Sequence, residues 1–118
     1  MKAQFIAYAR CSTCKKAQKW LEENNIPFTY REIVEDVPSK EELKAWLGRS
    51  GKEIKSFFNT SGLKYKELQL KDKLPTMSED EKLTLLSSNG MLIKRPIVVT
   101  DTAVLLGFRE KEWTENLK

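Results

Sequence analysis

The stretch Gln4-Phe5-Ile6-Ala7-Tyr8-Ala9-Arg10-Cys11-Ser12-Thr13-Cys14-Lys15-Lys16-Ala17 decides how this chain is read. Residues 4–8 are an apolar, strand-like run. From about Thr13 to Glu23 the apolar side chains Ala17, Trp20 and Leu21 recur at helical spacing, with Lys15, Lys16, Lys19, Glu22 and Glu23 on the opposite face. Asn24-Asn25 close that helix, and Pro27 forces the residue before it into extended geometry. Phe28 to Ile33, rich in aromatic and β-branched residues, predict a second strand. The result is a β-α-β unit whose first turn carries Cys11 and Cys14, the two cysteines of the chain.

Beyond this unit, Ser39-Lys40-Glu41-Glu42 is a capping box that opens a helix with Leu43, Trp46 and Leu47 on its apolar face, and Gly48 is expected to end it. Lys52 to Phe58 predict another short helix and Asn59-Thr60-Ser61-Gly62 a turn. A second capping box, Ser78-Glu79-Asp80-Glu81, opens a helix through Leu83, Leu85 and Leu86 that stops at Asn89-Gly90. Ile97-Val98-Val99 and Ala103-Val104-Leu105-Leu106 pair as a hairpin across Thr100-Asp101-Thr102, and a helix from about Glu110 to Asn116 closes the chain. The order β-α-β, helices, β-β-α predicts one α/β domain, its core formed by residues 1–37 and 91–118 around an all-helical insert at 38–90.

Composition agrees with this reading. A chain of 118 residues suits one modest core, and 40% hydrophobic with 32% dispersed charged residues is the make-up of a soluble globular protein. No apolar stretch approaches the ~20 residues that span a bilayer. Met1-Lys2-Ala3-Gln4 has no signal-peptide character, so a cytoplasmic protein without membrane association is expected. In that compartment a close cysteine pair is more often redox-active or metal-binding than a structural staple. The net charge of +4 is spread thinly: the densest basic stretch, Lys64 to Lys73, is interrupted by Glu67 and Asp72. Direct nucleic-acid binding would need a more one-sided patch.

With no histidine in the chain, chemistry concentrates on the cysteines. The thiolate is the nucleophilic form of cysteine. A position at the start of a helix favours negative charge, Arg10, Lys15 and Lys16 lie beside Cys11, and nothing acidic precedes Glu22. Cys11 is therefore expected to attack. Cys14, one helical turn further in and less exposed, is expected to resolve. A structural zinc site needs two further ligands, usually Cys or His, so no metal site is expected within one chain. A half-site completed by a second copy and a pair of inert buried thiols are the competing readings. The strand-end position and basic flanks favour redox chemistry over both.

Tyr8-Ala9-Arg10-Cys11-Ser12-Thr13-Cys14-Lys15-Lys16-Ala17, Trp20-Leu21-Glu22-Glu23, Ile93-Lys94-Arg95-Pro96-Ile97-Val98-Val99 and Leu106-Gly107-Phe108 together resemble the arsenate reductase (ArsC-like) family, which includes the Spx regulators. The resemblance covers almost the whole chain. It implies a thioredoxin-like fold, a mixed four-stranded sheet with a helical insert, and a cis bond between Arg95 and Pro96 facing the cysteines. The catalytic set it implies is Cys11, Cys14 and Arg95. Arg10 and Lys15 as cations, Pro96 in the segment alongside a bound thiol, and Asn59 in the insert are the substrate-binding candidates.

Arsenate reductases of this kind resemble one another in three arginines around the cysteine. Here Arg95 matches one, Asn59 stands at or next to the second, and Phe108 falls on the third with Arg109 one residue late. One arginine and Lys15 give an arsenate dianion little charge balance. The expected activity is thiol–disulfide exchange in place of arsenate reduction. No bound cofactor is expected; a protein disulfide or small thiol is the partner, with glutathione, glutaredoxin or thioredoxin as electron donor. The Spx branch implies an alternative, a redox-sensing transcriptional regulator that binds the C-terminal domain of the RNA polymerase α subunit. Ser50-Gly51-Lys52 lies close to a glycine of that family's partner surface. A monomer is the expected state.

Overall fold

The computed structural model describes residues 3–118. In chain order its elements are β1 (Ala3–Ala7), α1 (Ser12–Glu23), β2 (Phe28–Glu32), α2 (Lys40–Ser50), α3 (Leu63–Glu67), α4 (Leu70–Lys73), α5 (Glu79–Ser88), β3 (Ile97–Val99), β4 (Val104–Leu106) and α6 (Glu110–Leu117). The strands form one sheet in the order β2-β1-β3-β4. β1 runs parallel to β2 and antiparallel to β3, and β3 and β4 form the hairpin, so the sheet is mixed. This is the thioredoxin-like arrangement that the family resemblance implies. The chain divides into two compact units: a sheet unit that runs to Glu32 and resumes at Arg95, and a helical unit, Ile33–Lys94.

In the sheet unit the period of two along each strand sets the core. Phe5, Val98 and Leu105 stand in register across β1, β3 and β4. With Ala3 and Ala7 they pack against Ala17 and Leu21 of α1 and Trp113 of α6. The alternate row, Ile6, Ile97 and Leu106, is buried too, which explains why β3 and β4 read as unbroken apolar runs. Trp113 fixes α6 to the end of β4. Its indole N–H donates to the Gly107 carbonyl at 3.1 Å, and its ring meets Trp20 and Phe108 edge-on with centroids 5.8 and 4.8 Å apart. Thr100 Oγ1 accepts the N–H groups of Thr102 and Ala103 at 3.2 and 3.0 Å, closing the hairpin turn.

In the helical unit both predicted capping boxes are formed. Ser39 Oγ accepts the Glu42 N–H at 3.1 Å while the Glu42 carboxylate accepts the Ser39 N–H at 3.0 Å; Ser78 and Glu81 do the same at 3.1 and 2.9 Å. Two local expectations are refined. α2 passes through Gly48 and stops at Gly51, whose φ of +69° is the left-handed geometry that ends a helix. The short helix expected over Lys52 to Phe58 is a single 3₁₀ turn, Ile54–Phe57. Here long-range pairing overrides local propensity, because the Phe57 carbonyl accepts the Lys94 N–H at 2.8 Å and Phe58 bridges to Ile93. The lysine-rich stretch after Gly62 holds two short helices, α3 and α4, separated by Gln69 at φ +54°. Their buried residues, Tyr65 and Leu70, are too few to register as an amphipathic period.

Two glycines of the helical unit make opposite demands. Gly48 faces open space, whereas a Cβ on Gly90 would be driven into the backbone carbonyl of Ile33. Gly48→Ala should therefore stabilise the protein by up to about 1 kcal/mol. Gly90→Ala should destabilise it by more than about 2 kcal/mol. Urea denaturation of the two variants checks this; equal midpoints would contradict the packing described.

Candidate functional site

The chain leaves β1 at Ala7 and turns at Tyr8–Arg10, where the Cys11 N–H donates to the Tyr8 carbonyl at 3.0 Å. Cys11 is the N-cap of α1: its backbone is extended (φ −94°, ψ 118°) and its Sγ accepts the N–H of Cys14 at 3.3 Å. Sulfur thus takes the place that the Ser39 and Ser78 hydroxyls take at α2 and α5. A thiolate accepts such a bond better than a thiol does. The first turn of α1 holds no acid.

Both cysteines are free thiols; Cys11 is half-buried and Cys14 is 2% exposed. Burial pushes the Cys14 thiol up from 9.0 to about 12. Hydrogen bonding with the Cys11 side chain acts in the same direction, while the Tyr8 backbone and the Arg95 charge pull against it. The two sulfurs therefore differ in setting: Cys11 sits half-buried at a helix start, and Cys14 is a buried, protonated neighbour.

Arg95 precedes Pro96 through a cis peptide bond, and its guanidinium carbon lies 5.2 Å from the Tyr8 ring centroid. The Pro96 carbonyl accepts the Gly107 N–H at 2.8 Å, which ties the Arg95 segment to the end of β4. Lys15 lines an open cavity of about 370 Å³ together with Tyr8, Ala9, Cys14, Gln18 and Tyr30. Arg10 is exposed in the turn and makes no hydrogen bond or ion pair among the described residues. Asn59 belongs to the helical unit, where its N–H donates to the Leu92 carbonyl at 2.8 Å and its Oδ1 accepts the Ser61 hydroxyl at 3.4 Å. Its side chain is engaged within its own turn.

Several residues at this site escape a reading of the cysteine motif alone. The Glu32 carboxylate accepts the Ala9 N–H at 3.0 Å and pins the turn that leads into Cys11. The parallel register pairs Ala7 with Glu32, so a carboxylate distant in sequence reaches a loop whose own neighbours are all basic or neutral. Gln18 follows Cys14 by one helical turn, and Tyr30 is on β2, 41% exposed. Helical and strand periodicity carried both signals.

Comparison with known proteins places this geometry in context. The sequence profile of the ArsC family matches residues 7–116. Protein YusI of Bacillus subtilis is 53% identical over 116 residues, covering 98% of each chain. The global transcriptional regulator Spx 1 of Oceanobacillus iheyensis is 32% identical over 103 residues, 86% of this chain and 76% of that protein. Among solved structures, a crystal structure from Bacteroides fragilis described as related to the ArsC family superposes with a TM-score of 0.96 at 59% identity, covering 100% of this chain and 98% of that one.

At pH 7, iodoacetamide should alkylate Cys11 and leave Cys14 of the folded, reduced protein at least about tenfold slower, because alkylation needs the thiolate. Peptide mass spectrometry reads the ratio, and equal labelling would contradict the assignment. The same shift has a stability consequence. Cys14 holds its proton more tightly folded than unfolded, so its contribution is complete below about pH 9 and is lost as the pH rises towards 12. In reducing buffer, the Tm advantage of the wild type over Cys14→Ala should shrink across that window; a constant difference would contradict it.

Proposed function

Because the chain belongs to the ArsC family, we propose that it is a cytoplasmic thiol–disulfide oxidoreductase in which Cys11 attacks and Cys14 resolves. The observation that carries this reading is the Cys11 sulfur held as the cap of α1, with the buried Cys14 thiol hydrogen-bonded beside it. In the first step the Cys11 thiolate attacks one sulfur of a substrate disulfide. A Cys11–substrate disulfide forms and the other substrate sulfur leaves as a thiolate. In the second step Cys14 attacks the Cys11 sulfur. Its proton passes to the departing substrate thiol, and a Cys11–Cys14 disulfide remains, to be reduced by two electrons from glutathione, a glutaredoxin or a thioredoxin.

The causes of the Cys14 shift order these steps. Before the first step, burial and the neighbouring Cys11 side chain keep Cys14 protonated. Once Cys11 is in a disulfide, its charge and the hydrogen bond that it shares with Cys14 in the thiol pair are gone, whereas the Tyr8 backbone and Arg95 still favour the Cys14 anion. Cys14 therefore becomes a better nucleophile only when there is a mixed disulfide to resolve. Arg95 is the family arginine retained here, and Asn59 and Phe108 supply no charge. This supports disulfide exchange over arsenate reduction.

The 32% identity to Spx 1 supports a second reading, in which the same thiol pair is a sensor and the chain binds the C-terminal domain of the RNA polymerase α subunit. Gly51, in its left-handed turn after α2, is exposed and belongs to the segment that this reading would use.

Turnover of a small mixed disulfide with glutathione tests the enzyme. Cys11→Ala should fall to the uncatalysed background, and Cys14→Ser should accumulate the Cys11 mixed disulfide. Undiminished turnover by Cys11→Ala would overturn the first reading. Retention of the purified α C-terminal domain by the chain in only one redox state would favour the second.

A further inference from the structure

We propose that the helical unit carries a separate binding site for a small organic monocarboxylate with an apolar body. The unit contains a cavity of about 440 Å³, a volume within the range that holds small ligands. Its apolar wall is Ile54, Leu74 and Pro75. Tyr65 of α3 also lines it.

Tyr65 is the informative residue. It is 5% exposed, its ring rests edge-on against Phe58 with centroids 6.3 Å apart, and its hydroxyl has no hydrogen-bond partner among the described residues. Buried polar groups are almost always hydrogen-bonded. This hydroxyl is not among the sealed atoms that lack a partner, so it keeps some accessible surface, and Tyr65 is one of the residues that line the cavity. Within the proposed site it is a donor that a ligand oxygen can take up.

The charges around the cavity define that acceptor. Lys55, Lys71 and Lys82 line it, and none of the three is in an ion pair among the described residues. Elsewhere in the unit Lys40 meets Asp80 at 2.6 Å and Lys64 meets Glu67 at 3.7 Å. Glu53 and Glu79 line the same cavity, which leaves three cations against two carboxylates and an excess of one positive charge. A monoanion balances that excess, whereas a phosphate dianion exceeds it. The apolar wall and the volume favour an anion that carries an aromatic or branched hydrocarbon over an inorganic ion. The carboxylate accepts from the Tyr65 hydroxyl and the lysine ammonium groups, and its hydrocarbon covers Ile54, Leu74 and Pro75.

Phenylacetate is the probe, titrated into the full-length ¹⁵N-labelled chain and followed by amide shifts. Two controls isolate the terms: phenylacetamide lacks the charge, and acetate lacks the hydrocarbon. Phenylacetate should give saturable shifts at Ile54, Lys55, Tyr65 and Lys82; phenylacetamide should bind roughly tenfold more weakly, the scale of a charge-assisted hydrogen bond, and acetate at least about tenfold more weakly through the lost apolar burial. Tyr65→Phe, which keeps the ring against Phe58, and Lys82→Gln should each weaken phenylacetate while leaving the rest of the spectrum native. Absence of saturable shifts, equal binding of phenylacetamide, or indifference to both variants would overturn the proposal.

Discussion

The hydrogen bond from the Cys14 N–H to the Cys11 sulfur joins the fold to the chemistry. A helix start leaves backbone donors unsatisfied, and something must accept from them. At α2 and α5 that acceptor is a serine hydroxyl; at α1 it is a sulfur. The capping position that lets α1 begin beside the end of β1 thus also places the Cys11 sulfur at the exposed edge of the site. Sheet register supports it from behind, since Glu32, carried alongside Ala7 by the parallel β1–β2 pairing, grips the Ala9 amide in the turn before Cys11. Burial under the sheet-unit core keeps Cys14 protonated next to it.

The two cysteines are thereby given unequal parts by the same few residues. Cys14 packs with Phe5, Ala17 and Val98 as a core residue, which raises its proton affinity, and Cys11 only partly joins that cluster. Arg95 and the Tyr8 backbone oppose the rise without cancelling it. In the proposed reaction this balance tips when Cys11 becomes part of a disulfide, because two of the causes that hold the Cys14 proton disappear with the Cys11 thiol. Timing then needs no moving part.

Much of this was legible in the sequence, for identifiable reasons. The β-α-β unit, both capping boxes and the terminal hairpin each rest on short-range patterns: helical spacing at Ala17 and Leu21, Ser-x-x-Glu at Ser39 and Ser78, and apolar runs on either side of Thr100. The corrections lie where distant contacts decide. The 3₁₀ turn stops at Phe57, whose carbonyl accepts the Lys94 N–H, and Phe58 bridges to Ile93, while α2 continues through Gly48 because a lone glycine weakens a helix without stopping it. At the candidate site, Cys11, Cys14 and Arg95 could be named from motifs, but Glu32 could be found only by working out the strand register. Tyr65 was hidden for a related reason, since it belongs to a five-residue helix inside a lysine-rich stretch that reads as plain solvated surface.

The most direct test is to follow the order in which the sulfurs react. Reduced protein is mixed with one equivalent of glutathione disulfide at pH 7, quenched with acid at intervals, and mapped by peptide mass. Glutathione should appear first on Cys11 and then be lost as the Cys11–Cys14 disulfide grows in. A first adduct on Cys14, or a Cys11 adduct that persists in the wild type, would contradict the assignment of attack to the capping sulfur and of resolution to its buried neighbour.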